Sequence, residues 1–135
     1  MTGDSPSSDL RAVFEQHSRA FSKPKGTVLF RRGEEAAGMF LVLTGNVDLD
    51  FGMYPALARS YGPGALVGLP STITGRPYCA TATVTEDADL GFLSPERLES
   101  LLRERPELCQ ELLVILAERV AANHHFEQIS ARQAA

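Results

Sequence analysis

The 135-residue chain contains only two cysteines and no long apolar run. No segment approaches the roughly 20 consecutive apolar residues that a membrane-spanning helix needs. The polar N-terminus, MTGDSPSSDL, also lacks the basic and apolar segments of a signal peptide. The sequence therefore predicts a cytoplasmic protein without a membrane partner, and residues 1–9 are expected to form a flexible tail.

Basic residues are also scarce, with 13 Lys and Arg against 17 Asp and Glu and a formal net charge of −4. Proteins that bind the phosphate backbone of DNA usually carry an excess of basic residues, so DNA binding by this domain alone is disfavoured. Cys79 and Cys109 lie far apart and form no CxxC motif. Their spacing predicts two reduced, mostly buried thiols rather than a disulfide or a zinc site.

The motifs of an enzyme active site are missing as well. The sequence has no nucleophile elbow, no His-x-Glu metal motif and no paired acids in a defined pocket. Its histidines are His17, His124 and His125, and adjacent helical residues point about 100° apart, so the last two cannot bind one metal together. We therefore expect no catalysis, no metal and no cofactor. A haem sensor using Cys79 is the weaker alternative, and a Soret band would reveal it.

What the sequence does contain is a helix, then strands, then helices. Asp9 is the predicted N-cap of a first helix that ends near Phe21. Beyond Pro24 the apolar residues alternate with a period of two, which predicts six to eight short strands and favours a sandwich or barrel. The clearest strands are predicted at residues 27–30, 39–43, 47–51, 80–84 and 90–93, with an acidic turn at residues 86–89.

The last third of the chain has helical periodicity. Ser94 followed by Pro95 predicts an N-cap with proline at the first helical position. Arg105-Pro106 is expected to divide two C-terminal helices. We predict a single domain over residues 10–130, mainly β with flanking helices, and a frayed C-terminus at residues 131–135.

Residues 62–84 are dense in turn-forming residues and cannot form one continuous helix or strand. They are predicted to form a turn, a one-turn helix at residues 69–73, a second turn at residues 74–77 and a strand. An irregular loop on a strand-rich scaffold is a typical place for a binding site. The turn formers are Gly62, Pro63, Gly64, Gly68, Pro70, Gly75 and Pro77.

Two segments resemble the opening of a cyclic-nucleotide-binding domain. Phe30 is followed by two arginines and Gly33-Glu34, and the strand at residues 39–43 leads to Gly45-Asn46-Val47. The family pattern has an aromatic residue, two residues, Gly-Glu, a gap, an aromatic strand and Gly-x-Val. The resemblance extends over residues 10–129 and includes sensor domains of CRP/FNR-type bacterial regulators. It implies a double-stranded β-helix, a jelly-roll-like β-roll with one N-terminal and two C-terminal helices, and a non-catalytic sensor, regulatory or interaction module.

The chain departs from the family at the phosphate-binding cassette, which in the family reads roughly Gly-Glu, several residues, then Arg-Ser/Thr-Ala. The resemblance implies that this glutamate binds the ribose and this arginine neutralises the cyclic phosphate. Gly68 and Ala80 fit the pattern, but Leu69 takes the glutamate position, Tyr78 the arginine position and Cys79 the Ser/Thr position. Losing such charge-assisted contacts costs several kcal/mol. Tight binding of cyclic AMP or cyclic GMP is therefore not expected.

Three alternatives follow for this loop. Leu69, Tyr78 and Cys79 could line an apolar cavity for an uncharged ligand, with hydroxyl groups as donors. The same side chains could instead fill the vacated space, leaving no ligand. The chain could also be a genuine receptor in which Arg76 compensates for the missing arginine. The candidate pocket consists of Gly68, Leu69, Ser71, Thr72, Arg76, Tyr78, Cys79, Ala80 and Thr81.

The C-terminal helix is the candidate for assembly. The chain ends at Ala135, which leaves no room for the helix-turn-helix domain of the bacterial regulators, so direct DNA binding is not expected. A homodimer through this helix is predicted, and a protein partner is the further alternative. The predicted seam consists of Leu112, Leu116, Arg119, Asn123 and Phe126.

Overall fold

A computed structural model describes residues 8–52 and 58–117 of the chain. The elements in chain order are α1 Ser8–His17, β1 Arg19–Lys23, β2 Val28–Phe30, β3 Met39–Asp50, β4 Ala58–Tyr61, β5 Leu66–Val67, α2 Leu69–Thr74, β6 Thr81–Leu93 and α3 Pro95–Glu104. A further helix, α4, covers residues 107–117 of the described chain. Within the described residues, no helix is long and apolar enough to cross a membrane.

The two long strands β3 and β6 organise the sheet. They pair antiparallel from Met39 opposite Leu93 to Asp50 opposite Thr81. β6 pairs with β2 near its start and with β1 near its end, while β3 pairs with β5 near its start and with β4 near its end. Because each long strand exchanges one partner for another along its length, the sheet rolls up on itself. The predicted mainly antiparallel β-roll with flanking helices is confirmed.

The pleat of β3 divides the buried side chains into two cores. Phe40 and Val42 point into the roll, whereas Met39 and Leu41 point toward the helices. The core of the roll also contains Phe30, Val47, Leu49, Tyr61, Tyr78, Ala82, Val84 and Leu90. The second core fills the space between the sheet and α1, α3 and α4, through residues including Leu10, Phe14, Leu69, Leu98, Leu101, Leu108 and Leu112.

The strands predicted on either side of residues 44–46 form one strand, β3. The ladder shifts register there, and Gly45 adopts a φ of 86°. A Cβ at Gly45 would also clash with the carbonyl oxygen of Asp87 on β6. Glycine at this position therefore bends a continuous strand rather than ending it.

The acidic turn predicted at residues 86–89 is wrong, because these residues belong to β6. Ala88 is buried inside the roll while the acids on either side are exposed, so the alternation of a strand persists. The Asp87 carboxylate accepts a hydrogen bond from the backbone N–H of Lys25 at 2.8 Å, and that of Asp89 accepts one from the Ser22 hydroxyl. These contacts let the strand carry its charges on the outer face.

The first helix is shorter than predicted, and its N-cap was also predicted wrongly. It begins at Ser8, so Asp9 lies inside it, and it ends at His17 rather than near Phe21. Phe21 instead lies on β1 opposite Leu90, and its ring packs edge-on against Phe40 at 5.9 Å between centroids. Pairing with β6 overrides the helical spacing of this segment.

The start and the end of α3 agree with the predictions. Ser94 caps α3, where its Oγ accepts a hydrogen bond from the backbone N–H of Arg97 at 3.1 Å, with Pro95 in the first turn. α3 ends at Glu104, just before Arg105-Pro106, as predicted. The predicted tail reaches two residues into α1, while residues 1–7 and the predicted frayed end at 131–135 lie outside the described residues.

Candidate functional site

The loop after β5 forms the predicted short helix. α2 covers Leu69–Thr74 and is bounded by Gly68 and Gly75, which both adopt left-handed φ values, 83° and 74°. The Thr72 hydroxyl donates to the carbonyl oxygen of Gly68 at 2.7 Å. A Cβ on Gly68 would lie 3.2 Å from the Tyr78 ring and 3.3 Å from the carbonyl oxygen of Gly38. Glycine here thus lets the loop backbone lie close against the Tyr78 side chain.

Tyr78 is buried inside the roll, with 4% of its surface exposed. Its ring stacks on Phe30 with 3.7 Å between centroids and an interplanar angle of 14°. Its hydroxyl accepts hydrogen bonds from the backbone N–H groups of Ala37 at 3.0 Å and Gly38 at 3.1 Å. The same hydroxyl donates to the carbonyl oxygen of Gly38 at 2.6 Å. The phenol therefore joins the cassette loop to the backbone just before β3.

The backbone of Tyr78 is also fixed by hydrogen bonds. Its N–H donates to the carbonyl oxygen of Glu34 at 2.9 Å, and its own carbonyl oxygen accepts from the N–H of Gly33 at 2.8 Å. The Glu34 carboxylate accepts from the backbone N–H of Arg31 at 2.9 Å, which closes the turn. The Gly33-Glu34 pair therefore supports the residue that fills the site.

A small cavity remains beside Tyr78, with a volume of ≈ 40 Å³. That space exceeds the roughly 10–15 Å³ needed for one water molecule but is far smaller than a dry cavity of about 150 Å³, which accommodates benzene. A purine base therefore does not fit without movement of the lining. The lining residues are Phe30, Leu49, Phe51, Arg59, Tyr61, Gly68, Pro70, Ser71, Tyr78, Cys79 and Ala80.

Five of the nine predicted pocket residues line this cavity, namely Gly68, Ser71, Tyr78, Cys79 and Ala80. Ser71 is 5% exposed, and its hydroxyl donates to the carbonyl oxygen of Pro77 at 3.2 Å. Cys79 is a free thiol at the surface, and so is Cys109. The prediction that both thiols are mostly buried is therefore wrong. The loop turns the Cys79 side chain outward while its neighbours Tyr78 and Ala80 point into the roll.

Leu69 does not line the cavity, contrary to prediction. It is fully buried among the residues packed between the sheet and the helices. Leu69 and Thr72 are three residues apart and share one face of α2, while Pro70 and Ser71 face the cavity. The residue at the family's glutamate position therefore belongs to a different core.

Arg76, Thr72 and Thr81 also lie outside the cavity lining. The Arg76 side chain is exposed, and its backbone N–H donates to the Thr74 hydroxyl at 3.3 Å. The Thr81 hydroxyl accepts from the backbone N–H of Arg32 at 3.0 Å. Thr72 donates its hydroxyl proton to Gly68, so it is not available as a donor to a ligand, and Thr81 lies outside the cavity lining.

The sequence interpretation missed one wall of the cavity. Arg59 and Tyr61 on β4 face the lining, opposite Leu49 and Val47 on β3, and Arg59 brings a positive charge to it. Their two-residue spacing was the available signal, since residues i and i+2 of a strand share a face. The clearest predicted strands did not include residues 58–61, so Arg59 was not among the candidate pocket residues.

The haem alternative gains no support from these contacts. Among residues 8–52 and 58–117, no group of three or more His, Cys, Asp and Glu side chains is placed to hold a metal. His17 lies at the end of α1 and Cys79 in the cassette loop. His124 and His125 lie outside the described residues.

The predicted dimer seam is buried where it is described. Leu112 is 2% exposed and packs with Leu116 against the core between the sheet and the helices. The neighbouring Leu113 and Val114 are 64% and 54% exposed. Arg119, Asn123 and Phe126 lie outside the described residues. α4 therefore uses the predicted face to hold its own domain and presents a different apolar face to solvent.

Comparison with known proteins shows the family to which this chain belongs. Residues 21–105 match the family described as "Cyclic nucleotide-binding domain". The cyclic AMP receptor protein of Thermus thermophilus is 30% identical over 100 residues, which cover 72% of this chain and 46% of that protein. Patatin-like phospholipase domain-containing protein 7 of Mus musculus is 29% identical over 99 residues, covering 70% of this chain and 7% of that protein.

The chain thus spans less than half the length of these curated relatives. Among solved structures, the catabolite activator protein of Thermus thermophilus superposes with a TM-score of 0.78 at 25% identity. That match covers 92% of this chain and 60% of the other chain. Since the family match spans more than half of the residues and the β-roll superposes as well, this chain belongs to the cyclic nucleotide-binding domain family, in its CRP/FNR-type branch.

Proposed function

We propose that this domain is a non-catalytic sensor or regulatory module in which the side chain of Tyr78 closes the nucleotide pocket. The observation that carries the proposal is the fixation of Tyr78, whose ring stacks on Phe30 while its hydroxyl makes hydrogen bonds to Ala37 and Gly38. The phenol is held where the family places a guanidinium. Cyclic AMP and cyclic GMP then bind weakly or not at all.

The charge distribution around the cassette supports this proposal. A cyclic phosphate needs a cation or several N–H donors at the start of α2. Pro70 has no N–H to donate there, and the Leu69 side chain points into the other core. Arg76 is exposed and lies outside the cavity lining. The phosphate would therefore lose its contacts with water without gaining equivalent contacts from the cassette.

The second candidate is a genuine cyclic-nucleotide receptor with an altered cassette. The name of the Thermus thermophilus relative favours it, and Arg59 supplies a positive charge in the cavity lining. This function requires Tyr78 to leave its site and either Arg59 or Arg76 to approach the phosphate.

Calorimetric titration separates the two candidates. We expect cyclic AMP, cyclic GMP and cyclic di-GMP to give only heats of dilution at high micromolar concentration, because the cassette lacks its carboxylate and guanidinium. Tyr78→Arg, which returns a guanidinium to the cassette, is the matched variant and should bind more tightly than the wild type. A wild-type Kd in the low micromolar range, weakened by Arg59→Gln or Arg76→Gln, would establish the receptor instead.

The domain is further proposed to form a homodimer through α4. The face that carries Leu113 and Val114 is shifted by one residue from the predicted seam, and both side chains are more than half exposed. Burying two such aliphatic side chains stabilises an interface by roughly 1.5–3 kcal/mol each.

Leu113→Asp is expected to convert such a dimer to monomer, because it would place a carboxylate in the apolar contact. Analytical ultracentrifugation over a concentration series measures the change. Ile73→Asp on α2 is the matched control, since Ile73 is also exposed, at 43%, but lies on another surface. If the wild type sediments as a monomer, or if both variants behave alike, pairing through this face of α4 is refuted.

A further inference from the structure

A second, basic cavity lies away from the cassette, where α1 meets β1 and β6 meets α3. Its volume is ≈ 460 Å³, and it opens to solvent. The lining contains two arginines, a histidine, two serines and one aromatic ring, and it contains no carboxylate. The lining residues are His17, Ser18, Arg19, Phe92, Ser94 and Arg97.

The sheet register brings these two chain junctions together. Arg19, the first residue of β1, pairs with Phe92 near the end of β6. Ser18 packs so closely on β6 that a Cβ at Gly91 would clash with its hydroxyl. The base of the cavity is therefore built from paired backbone, which fixes the positions from which the charged side chains extend.

The positive groups of this cavity are the guanidinium groups of Arg19 and Arg97. The guanidinium carbon of Arg19 lies 5.8 Å from the centroid of the Phe92 ring, a contact that orients the group without neutralising it. In the described ranges of the chain, no ion pair joins Arg19, Arg97 or His17 to a carboxylate. Arg19 and Arg97 both line the cavity, so an anion bound there is attracted by two positive charges.

One hydroxyl group adds a directional donor, that of Ser94, because Ser18 Oγ already donates to the carbonyl oxygen of Glu15 at 3.0 Å. Ser94 Oγ accepts a hydrogen bond from the backbone N–H of Arg97, which leaves the hydroxyl proton available for a ligand oxygen. Guanidinium forks and this hydroxyl together match the several acceptor oxygens of a phosphate group. The cavity is larger than a phosphate ion and includes an aromatic ring, so it also has room for an organic portion of the ligand.

We propose that this cavity binds a small organic phosphate monoester, with the phosphate between Arg19 and Arg97 and the organic portion against Phe92. Binding here uses neither Tyr78 nor the cassette, so it is independent of whether the nucleotide pocket is closed. An open cavity lined by six residues fits a small molecule better than it fits the extended surface of a macromolecule.

NMR titration of the full chain tests the proposal, with inorganic phosphate and phenyl phosphate as probes at an ionic strength of about 0.1 M, where exposed charges are screened beyond about 10 Å. Saturable shifts are expected at the amides of Ser18, Arg19, Ser94 and Arg97, with phenyl phosphate binding at least about threefold more tightly because of its ring. Arg19→Gln and Arg97→Gln should each weaken binding about tenfold or more, the loss expected for one charge-assisted contact.

Arg103→Gln is the matched control, because it removes the same charge from an exposed position on α3 outside the cavity. Its Kd should change by less than about twofold, since screening makes distant surface charges weak. The proposal is overturned if no shift saturates, if Arg103→Gln weakens binding as much as the cavity variants, or if the shifts lie at residues 68–80 instead. Equal affinity for inorganic phosphate and phenyl phosphate would refute the claim that the organic portion of the ligand binds against Phe92.

Discussion

Tyr78→Ala is expected to lower the free energy of unfolding by about 3–5 kcal/mol, the range for removing a large buried aromatic side chain. The substitution removes the ring that stacks on Phe30 and the hydroxyl that satisfies the N–H groups of Ala37 and Gly38. Urea denaturation followed by circular dichroism measures the loss. The enlarged cavity should also bind phenol, so phenol is expected to raise the Tm of this variant and not that of the wild type.

Tyr78→Phe is the control that separates the hydroxyl from the ring. Tyr78→Phe keeps the stack on Phe30 but leaves the buried N–H and carbonyl groups of Gly38 and the partly buried N–H of Ala37 without their partner, which costs about 1–3 kcal/mol. If the alanine variant loses less than about 1 kcal/mol, the side chain is a loose lining group rather than a plug. A wild-type affinity for phenol as high as that of the alanine variant would refute the closed pocket.

Leu69→Glu is expected to destabilise the domain by at least about 3–5 kcal/mol at neutral pH, because it places an unpaired carboxylate in an apolar core. Leu69 is fully buried among residues that include Leu10, Phe14 and Leu98. The family's glutamate therefore cannot be restored here without damaging the packing between sheet and helices. Urea denaturation at several pH values measures the effect.

The pH dependence of this variant identifies the cause. Burial raises the pKa of the introduced carboxyl above its unfolded value of about 4.3. The part of the deficit that comes from ionisation is full above that raised pKa and disappears as the pH falls below about 4.3, where both states are protonated. The cost of burying a neutral carboxyl in place of the leucine side chain remains at every pH. Leu69→Met, which conserves volume, should cost less than about 1.5 kcal/mol at every pH. A stable Leu69→Glu variant that binds cyclic AMP would contradict this account of the site.

Local sequence was sufficient to predict elements that depend on neighbouring residues. Ser94 and Pro95 predicted the start of α3, and the cluster of glycines and prolines predicted the short helix α2. Capping and turn formation use hydrogen bonds and φ values set within a few residues. The alternation of apolar residues likewise predicted a mainly β domain, because a period of two reports burial on one face of a strand.

Tertiary contacts decided the secondary structure of two segments. Residues 19–23 have helical spacing but pair with β6, and the run at residues 86–89 looks like a turn but continues a strand. In both cases a neighbouring strand supplies the hydrogen bonds, and local propensity does not encode them. Arg59 was missed for the same reason, since its place in the cavity depends on β4 pairing with β3.

The sequence by itself determined the family of this domain, and the resemblance places Leu69 and Tyr78 at the family's glutamate and arginine positions, because both inferences follow from residue identity at fixed spacing. Only the tertiary structure decided where the side chains of these two residues lie. Leu69 turned toward the helices and Tyr78 turned into the roll, although both are apolar or amphipathic residues of the same loop. The physical reason is that each side chain goes to the core whose shape and hydrogen-bonding groups it satisfies, and those cores are assembled from distant parts of the chain.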